Sequence, residues 1–160
     1  MQSATRTAAI DAPRCGPRTF VGLARTRGCD DDSTRMGAGF SILVVDDDGD
    51  VRSTIAEVLR EEGYTVHEAA DGREALDKLA SLEKLPDLIL LDLMMPQMNG
   101  WEFRRWQLED ARLAAVRVVV ISAFSPSASG MSRDLFRDIP RLQKPVKLTT
   151  LLEVVEQCAR

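Results

Sequence analysis

The chain has 160 residues, 44% hydrophobic and 29% charged, with a formal net charge of -4. That length suits one ordinary domain with a real core, and the acidic balance argues against a general nucleic-acid-binding surface, which carries an excess of Lys and Arg. Cys15, Cys29 and Cys158 form no close pairs, against both a disulfide framework and a zinc cluster and for a reducing cytoplasm, and no apolar run approaches the ~20 residues that span a bilayer.

Residues 1–39 carry six Arg against four Asp, which leaves 15 basic and 21 acidic side chains for residues 40–160, the expected domain. The first 39 residues show no sustained period of 2 or 3.6 and contain the solvated run Asp30 to Thr34, so they read as a disordered extension. Two other readings stay open. Arg, Ser and Thr there resemble an organellar targeting segment, which Asp11 and the Pro/Gly interruptions weaken, and Met36 offers an alternative translation start.

From Ser41 the pattern changes. SILVV is a β-branched apolar run that ends on Asp46, Asp47 and Asp48, a buried strand. VRSTIAEVLREEG puts Val51, Ile55, Val58 and Leu59 on one helical face, with Gly63 as the stop. YTVHEA is a short strand on which His67 is expected to be exposed, and DGREALDKLASLE is a helix with Ala75, Leu76 and Leu79 inward. DLILL is the third strand and WEFRRWQLED the third helix, with Trp101, Phe103 and Trp106 as packing or partner-contact residues and Asn99-Gly100 as the tight turn before them. Val116–Ser122 is a strand, SPSASG a flexible stretch, MSRDLFRD a short helix, IPRLQK a last strand and LTTLLEVVEQCA a last helix.

Strands alternating with helices predict a doubly wound α/β fold, a mainly parallel five-stranded sheet with helices on both faces. Ligands in such sheets bind beyond the carboxyl ends of the strands. Those ends carry Asp46 and Asp47, Asp92, Ser122 and Lys144. Crowded carboxylates raise one another's pKa values, so three of them require compensation, which one divalent cation plus Lys144 supplies. Oxygen ligands select a hard ion, and Mg²⁺, which keeps several waters, suits a site that receives phosphate.

VVDDD, LLDLMMPQMNG, ISA and QKP, in this order, resemble the signature positions of the receiver domains of two-component response regulators, over roughly residues 40–160. The resemblance implies a flavodoxin-like sheet of strand order 2-1-3-4-5. It implies that Asp92 accepts a phosphoryl group from the phosphohistidine of a histidine kinase or histidine phosphotransfer protein, that Asp47, Asp92 and the backbone carbonyl of Met94 ligate Mg²⁺, and that Asp46 contributes mostly through water. Lys144 and Mg²⁺ then neutralise the phosphoryl oxygens, the Ser122 hydroxyl moves inward as the switch element, and the Lys144–Pro145 bond is cis. Met94, Met95 and Met98 read as gap-fillers in the acceptor loop.

One position departs from the pattern: Arg141 stands where many receivers have Tyr or Phe, as in receivers of hybrid kinases or stand-alone phosphorelay proteins. About 13 residues follow Lys147, enough for the last helix, so no output domain is expected and the protein signals by binding a partner or passing its phosphoryl group on. Beyond its own phosphorylation and slow dephosphorylation no enzymatic activity is expected. The alternatives are a constitutive receiver-like binding module and a haloacid dehalogenase-like phosphotransferase, in which Asp46 and Asp48 mimic an Asp-x-Asp nucleophile motif.

Overall fold

The structure is a computed structural model and describes residues 39–123 and 134–160. In chain order these form β1 (Ser41–Val45), α1 (Gly49–Glu61), β2 (Thr65–Ala69), α2 (Gly72–Ser81), β3 (Leu88–Asp92), α3 (Gly100–Glu109), α4 (Ala111–Ala114), β4 (Arg117–Ser122), β5 (Arg141–Gln143) and α5 (Leu148–Ala159). The expected extension over residues 1–38, SPSASG and the start of MSRDLFRD lie outside the described residues, as do Cys15 and Cys29.

The sheet has the order β2-β1-β3-β4-β5 with every pair parallel. Because the strands run the same way, their carboxyl ends share one edge. Val45 pairs with Leu91 and Ala69, Asp92 with Ile121 and Ser122 with Gln143. The residues just beyond these pairs are therefore neighbours, although nearly a hundred positions separate the first from the last.

Successive side chains of a strand point to opposite faces, which is why β1 and β3 read as unbroken apolar runs. Ile42 and Val44 pack with Ile55, Leu59, Leu151 and Val155 on the face covered by α1 and α5. Leu43 and Val45 pack with Ala75, Leu79 and Phe103 on the face covered by α2 and α3. Each such burial stabilises by about 1.5–3 kcal/mol. The strand interiors thus hold the sheet together and leave its carboxyl edge free to carry groups that favour chemistry over stability.

Side-chain caps set the helix starts. Asp48 accepts from the Asp50 and Val51 N–H groups to begin α1, and Asp71 accepts from those of Arg73 and Glu74 to begin α2. Gly63 adopts φ 92° just after α1, the left-handed conformation that glycine supplies at a helix end.

Several expectations change. In α1 the buried residues are Ile55, Ala56 and Leu59, while Val51 and Val58 are half-buried at the margins. His67 is half-buried rather than exposed. The third helix ends at Glu109, close to where it was expected, but a short α4 that was not expected follows at once, capped by the Asp110 carboxylate through the Arg112 N–H. The fourth strand begins at Arg117, one residue late, and β5 spans only Arg141–Gln143, so Lys144 lies just beyond it. Among the described residues no helix is long and apolar enough to cross a membrane.

Candidate functional site

The edge formed by the strand ends gathers Asp46, Asp47, Asp92, Ser122 and Lys144. Asp46 directly follows β1 and is 1% exposed; Asp92 ends β3 at 4% and Ser122 ends β4 at 5%. Asp47 is exposed. One carboxylate oxygen from each of Asp46, Asp47 and Asp92 lies within 4.8 Å of the others.

Lys144 closes the cluster from just beyond β5. Its Nζ donates to Asp92 Oδ2 at 2.7 Å and stands 2.7 Å from Asp46 Oδ2. Its backbone N–H donates to the Ser122 carbonyl at 3.1 Å, which ties the lysine to the end of β4. The following Lys144–Pro145 bond is cis.

The main chain fixes both acids. Asp92 Oδ1 accepts from the Met94 N–H at 3.1 Å, and Asp46 Oδ1 accepts from the Asp48 N–H at 3.0 Å. Burial pushes the Asp46 carboxyl above its ordinary value, and the Asp92 charge adds to this; the Lys144 ammonium and the Asp48 N–H oppose it without cancelling it. Burial works to lower the Lys144 pKa, but the two carboxylates outweigh it and hold the amine above its ordinary value, fully charged at neutral pH.

Three carboxylates and one ammonium leave room for two positive charges. Asp46 Oδ2 is buried, and the Lys144 ammonium 2.7 Å from it is shared with Asp92. Asp47 keeps one side of the cluster open to water. Oxygen donors, an under-satisfied buried oxygen and solvent access fit a hard divalent cation that retains waters.

The loop after Asp92 differs from expectation. Its left-handed residue is Gln97, at φ 62°. Asn99 instead caps α3, its side chain accepting from the Glu102 N–H while the Glu102 side chain accepts from the Asn99 N–H. Gly100 is needed for closeness: a Cβ there would lie 2.5 Å from the Asp92 carbonyl oxygen and 2.8 Å from Leu93 Cα. The loop also docks on α2, where the Gly72 N–H donates to the Met98 carbonyl at 3.1 Å. Met95 is buried and Met98 packs on the core, whereas Met94 is 59% exposed. Phe103 is fully buried, Trp101 packs on the core, and Trp106 is 56% exposed.

Arg141, at the departing position, is exposed and donates from Nη2 to the Phe136 carbonyl at 2.8 Å. Sequence reasoning missed two residues. Gln107, on α3, is fully buried and donates to the Leu113 and Val116 carbonyls, holding α4 against the end of α3. Arg52, on α1, donates to the Asp46 carbonyl at 2.6 Å. Arg52 lies four residues, one helical turn, beyond the capping Asp48, an ordinary helical position that carries no signal for this contact.

Comparison with known proteins bears on this geometry. Residues 42–156 match the family described as the response regulator receiver domain. The transcriptional regulatory protein PdtaR of Mycobacterium tuberculosis (strain CDC 1551 / Oshkosh) is 38% identical over 122 residues, which take in 72% of this chain and 54% of that protein. Sporulation initiation phosphotransferase F of Bacillus subtilis (strain 168) is 38% identical over 84 residues, 52% of this chain and 64% of that protein. The chain thus spans less than two thirds of the length of these relatives. The structure of chemotaxis protein CheY4 of Vibrio cholerae matches with a TM-score of 0.65 at 28% identity, over 74% of this chain and 98% of that one. Strand order, strand-end residues and family match agree: the chain belongs to the response regulator receiver domains, the phosphoryl-accepting modules of two-component signalling.

Proposed function

We propose that Asp92 accepts a phosphoryl group from the phosphohistidine of a histidine kinase or histidine phosphotransfer protein, in the cytoplasm, and that the phosphorylated domain signals by binding a partner or passing the group on. The observation that supports this most is the buried Asp92 carboxylate at the end of the central strand, 2.7 Å from Lys144 and clustered with Asp46 and Asp47.

In this reading an Asp92 carboxylate oxygen attacks phosphorus in line. The O–P bond forms as the N–P bond of the donor breaks, and the imidazole nitrogen leaves with the electron pair and takes up a proton. Lys144 keeps its proton on Nζ and turns a donor from Asp92 to a phosphoryl oxygen. The Ser122 hydroxyl, two residues beyond the Val120 position paired with Arg141, donates to another phosphoryl oxygen and reports its arrival. Phosphoryl transfer depends on positioning and charge neutralisation more than on acid-base chemistry, which suits a site with no histidine among its members. Asp46, Asp47, Asp92 and the Met94 carbonyl would hold Mg²⁺, which when bound supplies positive charge against the phosphoryl oxygens.

A mainly apolar groove of about 600 Å³ opens beside Lys144, lined by Asp50, Val51, Ile55, Pro145, Val146 and Leu148, and in this reading it is a surface on which the donor docks. In our reading the protein is no enzyme beyond its own phosphorylation and slow dephosphorylation. Incubation with acetyl phosphate or a histidine kinase tests the assignment. We expect Mg²⁺-dependent label on the wild-type protein and none on Asp92→Asn; equal label on both would overturn it.

A further inference from the structure

Arg52 is the half-buried basic residue of the first turns of α1, and it reaches backwards. Its Nη1 donates to the main-chain carbonyl of Asp46 at 2.6 Å, and its Nε lies 3.6 Å from Glu68 Oε2 on the edge strand β2. Glu68 is held in turn by Arg60 at 2.8 Å, from the far end of α1. The Asp46 N–H is also committed, donating to the Ala69 carbonyl at 3.2 Å. Both main-chain polar groups of Asp46 are therefore fixed, one by the sheet and one by a guanidinium.

The Asp46 carbonyl belongs to the peptide unit that joins Asp46 to Asp47. Holding that carbonyl fixes the ψ angle of Asp46, which sets where the chain places the Asp47 carboxylate relative to that of Asp46. A charge-assisted hydrogen bond is about twice as strong as a neutral one, and this one is anchored at its other end by an ion pair. We infer that Arg52 is a positioning residue for divalent-cation binding, acting through the Asp46–Asp47 peptide unit without touching the ion. The inference rests on the metal reading above.

An opposing effect must be weighed. A guanidinium near a cation site repels the cation, so its removal could tighten binding. Glu68, 3.6 Å away, offsets much of that charge, and the positioning effect therefore dominates.

Calorimetric titration of MgCl₂ into the full chain separates the possibilities, with thermal melts as the control for folding. Removing an outer partner that orients ligands weakens metal affinity by about tenfold or more, so Arg52→Met should bind Mg²⁺ about tenfold more weakly than wild type. Arg52→Lys keeps the charge and one donor but loses the planar fork, and should weaken binding by about threefold. Glu68→Gln loosens that anchor and uncovers the guanidinium charge while leaving the guanidinium–carbonyl bond, and should weaken binding by about threefold at most, clearly less than Arg52→Met. Tighter or unchanged binding by Arg52→Met overturns the inference, as does a Glu68→Gln loss equal to that of Arg52→Met. If Arg52→Met does not fold, wild-type affinity in a folded Arg52→Lys protein overturns it. A wild-type protein that binds no Mg²⁺ sinks the metal reading and this inference together, whereas binding unaffected by Arg52 sinks this one alone.

Discussion

Gly100 stands so close to Asp92 that a Cβ on it would lie 2.5 Å from the Asp92 carbonyl oxygen. The first residue of α3 is thereby pressed against the end of β3, and the helix fixes the backbone from which Asp92 projects. The two nearest neighbours of that imagined Cβ, the Asp92 carbonyl oxygen and Leu93 Cα, are main-chain atoms that cannot rotate aside.

Two effects of Gly100→Ala oppose each other. Alanine favours a helix over glycine by about 1 kcal/mol, while forced overpacking costs about 1–3 kcal/mol. With a backbone contact this short the second wins. We expect the variant to melt about 5 °C lower, and acetyl-phosphate labelling of Asp92 to slow by about tenfold as the carboxylate is displaced. A melting temperature above wild type would show that helix propensity governs this position.

Lys144 compensates two buried acids at once, 2.7 Å from each. Breaking a buried ion pair from one side strands the remaining charge, at about 3–5 kcal/mol. Metal-free Lys144→Met should therefore melt well below wild type, and saturating Mg²⁺ should recover more stability in the variant than in wild type. The diagnostic quantity is the Mg²⁺-induced rise in melting temperature of each protein. An equal rise in both would mean that lysine and cation do not share the compensation of these carboxylates.

How much of this was legible in the sequence follows from what each residue depends on. Asp46, Asp92 and Ser122 could be placed because each sits where an apolar run stops, and Lys144 because it ends the segment that reads as the last strand; a parallel sheet brings such ends to one edge. The strand order was legible only through the family resemblance, since alternation alone does not order strands. The left-handed Gln97 was not legible: φ > 0 is usually signalled by Gly or Asn, and Asn99-Gly100 drew attention two positions too far along. Gln107 reads as part of a polar helix face, and only the short α4 folding back over it makes it buried. Arg52 has an ordinary place on α1, and its meaning comes from the packing of α1 against the end of β1. Patterns along one element could be read; contacts between elements could not.

Asp46 illustrates a cost of the site. Its carboxylate is 1% exposed, and Oδ2 has only an ammonium that it shares with Asp92. Asp46→Asn removes the buried charge and keeps an oxygen able to accept from the Asp48 N–H, while Lys144 retains Asp92. An under-satisfied buried group costs about 1–3 kcal/mol, so the metal-free variant should melt a few degrees above wild type while binding Mg²⁺ more weakly. A variant less stable than wild type without metal would show that Asp46 strengthens the apo fold.

Glu74 supplies a pH-dependent contribution away from the cluster. Its Oε2 accepts from the Ala70 N–H at 2.8 Å and its Oε1 from Lys78 at 2.8 Å, joining the first turn of α2 to the end of β2. The Lys78 hydrogen bond first, and the Ala70 N–H second, hold its carboxyl below the ordinary value of 4.5, although burial works the other way. A carboxyl with a depressed folded-state pKa binds protons more readily when unfolded. Its contribution is therefore complete above pH 4.5 and is lost as pH falls from there through the lower folded value. Glu74→Gln keeps an acceptor for Ala70 but carries no charge at any pH. Because the side chain is half-exposed, solvent screens the pair, and the variant should melt only about 2 °C below wild type at neutral pH. That gap should hold down to about pH 5 and close as the solution is made more acidic. Paired melts of the two proteins across that range read it directly, and a gap that persists undiminished to pH 3, or widens there, would assign the stabilisation to geometry rather than to charge.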